Sequence, residues 1–277
     1  MYDFNNLPKI SCLLVTASGR FNLAKKSIIC YTKQTYKNKE LIILNEGPQL
    51  YQKELQSFVE SLGRNDIRTV WLNGQYSLGS LRNISVGVAD GDYFVQWDDD
   101  DFCLPHRLIT QYSYLTRFPE AKVCYLTDQL HYFWETKTLY WNHWKNWHSG
   151  NGLKKYSLIP GTGMFVRDLA FRYPSVGACC KAGEDTVFAN KILSESSSNV
   201  VLLENMGHMH CYSFHGNQVY DIEHHMNIAQ MRSQTVSFML KNRDRIIDSI
   251  KFFEFEGEIK VMGRDGLAFT YQYEVTP

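Results

Sequence analysis

Tyr93-Phe94-Val95-Gln96-Trp97-Asp98-Asp99-Asp100-Asp101 is a short apolar stretch that runs straight into four carboxylates, with Phe102-Cys103-Leu104-Pro105 behind them. The apolar part reads as a buried strand, and the aspartates fall at its carboxyl end. Like charges packed this closely repel and raise one another's pKa, so the run is either a solvated loop or neutralised by a divalent metal. Upstream, Ile10 to Val15 is a compact apolar run ended by Thr16-Ala17-Ser18-Gly19-Arg20, and Leu23 to Gln34 carries apolar residues at helical spacing. The unit recurs as Glu40-Leu41-Ile42-Ile43-Leu44 before Asn45-Glu46-Gly47, a helical Tyr51 to Leu62, and then Ile67 to Trp71. A further helical segment, Leu81 to Ala89, leads into the aspartate strand. Strands separated by single helices predict an α/β fold: a mostly parallel sheet flanked by helices, with right-handed crossovers. Ligands of such sheets bind beyond the carboxyl ends of the strands. The loops Thr16 to Arg20, Asn45 to Gly47 and Asp98 to Asp101 are therefore expected to open onto one crevice.

Past Leu104 the spacing predicts a long helix to Phe118, and Val123 to Leu126 reads as a strand ending at Thr127-Asp128. The alternation then weakens. Tyr132 to Gly152 is crowded with aromatic and polar residues without a clean period, and a smaller second half is expected to start near Gln129. Asn227 to about Phe253 reads as one or two helices, and Ile259 to Val275 as a hairpin across Arg264-Asp265-Gly266. The expected division is thus 1–128, 129–226 and a helix-and-hairpin extension over 227–277. No internal repeat is present, and Ser194 to Ser198 is the one low-complexity stretch.

The chain has 277 residues, 44% hydrophobic and 14% aromatic, which is enough to bury a substantial core. Basic and acidic residues cancel at 29 each, which argues against a nucleic-acid partner held by bulk charge. The seven cysteines are odd in number and show no CxxC spacing, as expected of free thiols in a reducing compartment. No charged N-terminal region precedes an apolar core, and no apolar run approaches a membrane span. The expectation is a soluble, cytoplasmic protein. Val236 to Phe255 mixes large apolar residues with Lys and Arg, which suits packing onto the rest of the chain or peripheral contact with the inner face of a membrane.

Taken in order, the motifs resemble the family 2 glycosyltransferases. Pro8-Lys9-Ile10-Ser11 to Thr16, the helix ending in Gln34-Thr35-Tyr36-Lys37-Asn38, and Glu40 to Ile43 match that family's first unit. Gly79-Ser80-Leu81-Arg82-Asn83 resembles its Gly-x-x-x-Arg-Asn segment, and Gly91-Asp92-Tyr93-Phe94 with the aspartate run and Pro105 resembles its metal-binding strand end. Gly183-Glu184-Asp185 matches its acidic pair, and His215-Gly216-Asn217 a late histidine motif. The resemblance covers roughly residues 8 to 217. It implies a GT-A fold, a Rossmann-like mostly parallel sheet with a smaller acceptor-side half, and an inverting transfer from a nucleotide diphosphate sugar to a hydroxyl. Two positions depart from the pattern: Asn45-Glu46 stands where paired aspartates are usual, and Thr16-Ala17-Ser18-Gly19 where Thr-Tyr-Asn is common.

On this resemblance Asp185 is the candidate base, supported by Glu184, since an attacking hydroxyl must lose a proton to a group within hydrogen-bond reach. The pair's plainer alternative is an N-terminal cap. Thr16, Ser18, Arg20, Glu46, Arg82, Asn83, Asp98 and Asp99 are the candidate donor-binding residues. Arg82 faces either the diphosphate or a carboxylate. Asp100 and His215 are the candidate ligands of Mn²⁺ or Mg²⁺, His208 and His210 competing with His215. Trp141, Trp144 and Trp147 form either an acceptor platform or ordinary packing. The expected partners are a nucleotide sugar, UDP-linked by preference, and a glycan or lipid-linked acceptor. A sugar nucleotidyltransferase would need a glycine-rich, basic loop where the chain has Thr16 to Arg20, a paired-metal nuclease or phosphatase would need further His and Asp pairs, and a non-catalytic carbohydrate-binding relative would need none of the carboxylates.

Overall fold

The computed structural model describes residues 7–144, 158–169, 172–195, 199–216, 218 and 221–274. They form two compact units that interleave along the chain. The first comprises 1–100, 108–125 and 160–201, and the second 101–107, 126–159 and 202–277. The three consecutive segments expected from sequence differ from this division, because both units are closed by stretches distant in sequence.

In the first unit β1 (Ile10–Thr16), β2 (Lys39–Asn45), β3 (Ile67–Trp71) and β4 (Tyr93–Gln96) pair in parallel in the order β4-β1-β2-β3. The crossovers are α1 (Phe21–Thr32), α2 (Gln49–Ser61) and α3 (Leu78–Val88). Every residue of β2 is buried and the β1 row is nearly so, which is why these strands read as unbroken apolar runs. Beyond β4 the sheet continues through β9 (Met164–Val166), β6 (Val123–Leu126) and β10 (Val200–Leu203), β9 running antiparallel to both β4 and β6. The sheet is thus mostly parallel, as expected, with one reversed strand. α4 spans Arg107–Leu115, shorter than the helix expected from Leu104, and a turn at Pro105-His106 precedes it. α5 (Glu184–Glu195) follows the loop that contains Gly183.

The second unit holds β5 (Phe102–Cys103), β7 (Asp128–Phe133), β8 (Thr138–His143), β11 (His210–Phe214), β12 (Gly257–Gly263) and β13 (Gly266–Tyr273), in the order β13-β12-β8-β7-β11-β5. The described part of the aromatic stretch, Tyr132 to Trp144, holds the end of β7 and all of β8, which form a hairpin; all six residues of β7 are buried, so no polar face marks the alternation. The expected C-terminal hairpin is β12–β13, and β12 joins β8 in parallel, so the hairpin extends this sheet. The C-terminal helical stretch is three helices, α6 (Ile222–Arg232), α7 (Val236–Lys241) and α8 (Arg243–Phe253). The first break falls at Ser233, which bonds Asn142 Oδ1 through its hydroxyl, after which Thr235 caps α7 by accepting from Phe238 N. Among the described residues no helix is long and apolar enough to cross a membrane.

Candidate active site

The aspartate run caps the carboxyl end of β4 in the middle of the first sheet, and its members take different partners. Asp98 accepts from Arg82 Nη2 at 2.9 Å and from Gln96 Nε2 at 3.0 Å. Asp99 is buried, accepting from Thr16 Oγ1 at 2.7 Å and from Arg20 Nε and Nη2 at 2.8 and 2.7 Å. The same Arg20 Nη2 lies 2.5 Å from Asp100 Oδ2. With its proton turned to Asp99, Thr16 Oγ1 accepts from the Tyr51 hydroxyl at 2.7 Å. Burial, then Asp100, pushes the Asp99 carboxyl up to about 6 against the opposing pull of Arg20 and Thr16. Asp101 belongs to the second unit, where its Oδ2 lies 3.2 Å from His210 Nε2.

The second part of the site comes from α3 and α5. Ser77 caps α3 by accepting from Ser80 N, and one turn later Arg82 is buried and forks between two carboxylates. Its Nε donates to Glu184 Oε1 at 2.8 Å and its Nη2 to Asp98. Of the two readings open for Arg82, the carboxylate pairing is the one observed. Asp185 follows Glu184 in the first turn of α5, its Oδ1 accepting from Thr186 N at 2.6 Å. Burial, then Glu184, raises its carboxyl to about 6, with Arg82 opposing and Asp98 adding to the rise.

Four residues of this network were not singled out from the sequence: Gln96, Tyr173, Gly161 and Gln111. Gln96 spans from Asp98 to Tyr173, whose hydroxyl donates to Gln96 Oε1 at 3.2 Å. A polar side chain closing an apolar strand was the visible hint. Gly161 borders both acidic groups: a Cβ there would lie 3.2 Å from Asp98 Oδ2 and 3.9 Å from Asp185 Oδ2. The turn that holds it, Pro160–Thr162, is fixed by buried Gln111, whose Nε2 donates to Thr162 O at 2.8 Å.

Other expected residues lie as follows. Glu46 accepts from Tyr76 N at 3.0 Å, and Ser18 lines a cavity of about 200 Å³ with Gly19, Phe21, Asn22, Pro48 and Tyr51. Asn83 makes a two-way pair with the Tyr173 backbone, both bonds 2.9 Å, so its amide braces the chain. In the second unit His215 is half-buried after β11, its N–H donating to Gln218. His210 is buried, and burial followed by Arg107 holds its ring well below the usual histidine range. His208 packs on Trp141 and is pushed down to about 4 by burial, then by Arg245 and His106. Trp141 is fully buried, its Nε1 donating to Asp128 Oδ2 at 2.5 Å. Of the two readings open for Trp141, acceptor platform or ordinary packing, the buried ring fits ordinary packing. Trp144 follows β8, and Trp147 lies outside the described residues.

Among the described residues no three His, Cys, Asp or Glu side chains gather into a metal cage. The donor set nonetheless fits a hard divalent cation. Two guanidinium groups face five carboxylates here, those of Asp98, Asp99, Asp100, Glu184 and Asp185, so the strand end keeps an excess of negative charge. Mg²⁺ and Mn²⁺ take oxygen ligands and use one or two protein carboxylates, leaving the remaining positions to phosphate and water. Asp98 and Asp100 are the partly accessible members of the run in this unit, with side chains 24% and 15% exposed.

A family model described as Glycosyl transferase family 2 matches residues 15–173. The Escherichia coli chain WcaA, provisionally named a colanic acid biosynthesis glycosyl transferase, is 33% identical over 105 residues, covering 37% of this chain and 36% of its own. The chain spans about a third of the length of the curated relatives it matches. Among solved structures, S. aureus TarS residues 1–349 superpose with a TM-score of 0.55 at 12% identity, covering 88% of this chain and 80% of that one. The mannosyltransferase PcManGT of Pyrobaculum calidifontis, in complex with GDP-Man and Mn²⁺, superposes with a TM-score of 0.54 at 9% identity, covering 93% and 67%. At such identities the likeness shows the fold, a GT-A-like α/β arrangement.

Proposed function

The chain belongs to glycosyl transferase family 2, and from that premise we propose that it moves a sugar, with inversion, from a nucleoside diphosphate donor to a hydroxyl of a glycan or lipid-linked acceptor. The observation that carries this reading is the fork of Arg82 between Asp98 and Glu184, which ties the end of β4 to the first turn of α5. It sets Asp185 and Asp98 on the border of one space beside Gly161. Asp185 takes the acceptor proton as the hydroxyl attacks the anomeric carbon on the face opposite the leaving diphosphate. A carboxyl raised to about 6 suits that role, being ionised near neutral pH yet basic enough to hold the proton. Arg82 keeps Glu184 charged and in place, and so fixes the start of the helix that carries the base.

On the donor side, Thr16, Arg20, Asp99 and Asp100 form a hydrogen-bonded group at the ends of β1 and β4. Asp100, with Asp98 beside Arg82, would hold Mg²⁺ or Mn²⁺, and a bound cation supplies charge neutralisation for the departing diphosphate. Without a cation, an anionic diphosphate would meet an already acidic strand end. The TarS complexes with UDP and UDP-GlcNAc and the GDP-Man complex of PcManGT show what those two proteins bind. They support a nucleotide-sugar donor for this chain, and UDP-sugars are the first to test. A lipid-linked acceptor would bring the protein to a membrane surface.

The test is a thermal-shift panel of UDP and GDP sugars with and without Mn²⁺, followed by transfer assays on the stabilising donor. One nucleotide family should raise Tm only with metal, and Asp100→Ala should remove the shift. Asp185→Asn should keep donor binding and lose ~10²- to 10⁴-fold in kcat. Unchanged turnover in Asp185→Asn would take that residue out of the mechanism, and a panel without any metal-dependent shift would overturn the donor assignment.

A further inference from the structure

Five of the seven cysteines are buried, whereas Cys179 is exposed and Cys180 half-exposed. These two are adjacent, in a short 3₁₀ turn (Ala178–Cys180) that precedes Glu184 and Asp185. The loop carrying the pair is held at both ends by α3. At its start Asn83 pairs with the Tyr173 backbone, Ser77 Oγ donates to Ser175 O at 2.9 Å, and a Cβ at Gly79 would fall 1.9 Å from Pro174 O. At its end Arg82 holds Glu184. Between these anchors Gly177 and Gly183 sit at φ +86° and +79°, where other residues are strained, so the turn is bounded by two glycine-specific bends. Cys179 and Cys180 thus sit in a short span between the α3 anchors and Glu184, the first residue of α5.

We infer that Cys179 and Cys180 form a thiol-modification site, in which Cys179 exchanges with a low-molecular-weight disulfide and Cys180 resolves the adduct, moving the start of α5. The Cys179 thiolate attacks one sulfur of the disulfide RSSR, whose S–S bond breaks and releases RSH after protonation. The Cys180 thiolate then attacks the Cys179 sulfur of the mixed disulfide and expels the second RSH. Two thiols are oxidised to one disulfide and RSSR is reduced to two thiols, so electrons and protons balance. Neighbouring Cα atoms across a trans peptide stand closer than unstrained disulfides prefer, so the closed form distorts the turn and is readily reduced.

The functional consequence rests on the transferase reading; the chemistry does not. The full chain is treated with glutathione disulfide at neutral pH and followed by intact mass, peptide mapping and amide exchange over residues 184–188. Wild type should lose its two accessible thiols without net adduct and regain them with dithiothreitol. Cys180→Ser should stop at one glutathione adduct on Cys179, and Cys179→Ser should form no internal disulfide. Exchange over 184–188 should change on oxidation in wild type alone, and transfer should fall by ~10- to 100-fold, as misplacement of a catalytic group does. Modification first at another cysteine, or no adduct under conditions that fully modify a small thiol, overturns the site. A formed disulfide with unaltered exchange over 184–188 overturns the coupling. Absence of transfer in the reduced wild type counts against the transferase reading and leaves the thiol result standing.

Discussion

Arg82 and Arg20 divide one aspartate run between them, and they do so in different surroundings. The Arg82 side chain is 9% exposed and joins Asp98 to Glu184, residues supplied by β4 and α5. The Arg20 side chain is 28% exposed and joins Asp99 to Asp100, which are neighbours in sequence. The buried fork fixes the relation between two elements, so its loss is felt as stability and as misplaced chemistry together. The half-exposed fork orders a loop next to the space a donor would fill, so its loss is felt mainly in binding. A run of like charges thus becomes two stations with separate work, and Asp101 turns to His210 in the second unit.

The largest effect should follow removal of the buried fork. Arg82→Ala leaves Glu184 buried without its guanidinium, which costs about 3–5 kcal/mol. Urea melts measure it directly, and the double variant Arg82→Met with Glu184→Gln should recover part of the loss because the buried Glu184 charge is no longer left unpaired. Equal stability of Arg82→Ala and wild type would mean that the fork does not hold α5 to β4. Gly161→Ala comes next. Its methyl would enter the space between Asp98 and Asp185 at 3.2 and 3.9 Å, so kcat should fall by ~10- to 100-fold with Tm nearly unchanged. A variant of full activity would place the reacting groups elsewhere. Arg20→Ala should be milder still, about 1–2 kcal/mol, because the group is partly solvated. Its distinguishing sign is weaker nucleotide binding in the thermal-shift panel, and intact binding would show that Arg20 only orders the aspartates.

How much of this was legible in sequence differs between the same regions. The parallel core was readable because β1, β2 and β4 are short apolar runs, each closed by polar residues, and helices of ordinary length lie between them. Asp98 and the Glu184-Asp185 pair were singled out through the family resemblance, and Arg82 joins Asp98 to Glu184. That pairing was not legible, because an arginine on a helix looks the same whether it meets solvent, phosphate or a carboxylate 102 residues away. The β7–β8 hairpin was hidden by burial on both faces, and the two readings of Trp141 stayed open because its hydrogen bond to Asp128 is invisible in a composition. Gly161 and Gln111 act through close approach and backbone bonds, which leave no periodic trace.

The smallest effect compares one carboxyl from each station. Asp185 and Asp99 are both raised to about 6, the first by burial and Glu184, the second by burial and Asp100. A carboxyl whose folded pKa exceeds its unfolded value binds the proton more tightly in the native state, so its contribution to stability is full below the unfolded pKa near 4 and is lost as pH rises through about 6. The contribution of these two carboxyls should therefore decline between pH 4 and pH 6, while His208 and His210, held below the usual histidine range, contribute with the opposite sign, so Asp185→Asn or Asp99→Asn should each steepen the net rise of stability over that window by on the order of 1 kcal/mol. Under the proposed role of Asp185 as base, catalysis has the opposite sign, since a base works only when ionised: kcat should drop about tenfold per pH unit below the Asp185 pKa. The two variants separate the stations. Asp99→Asn should keep the acid limb of the rate profile near pH 6 while losing its share of the stability change. Asp185→Asn should lose both the rate and the limb. An acid limb that moves with Asp99 instead would assign the proton-accepting role to the other half of the aspartate run.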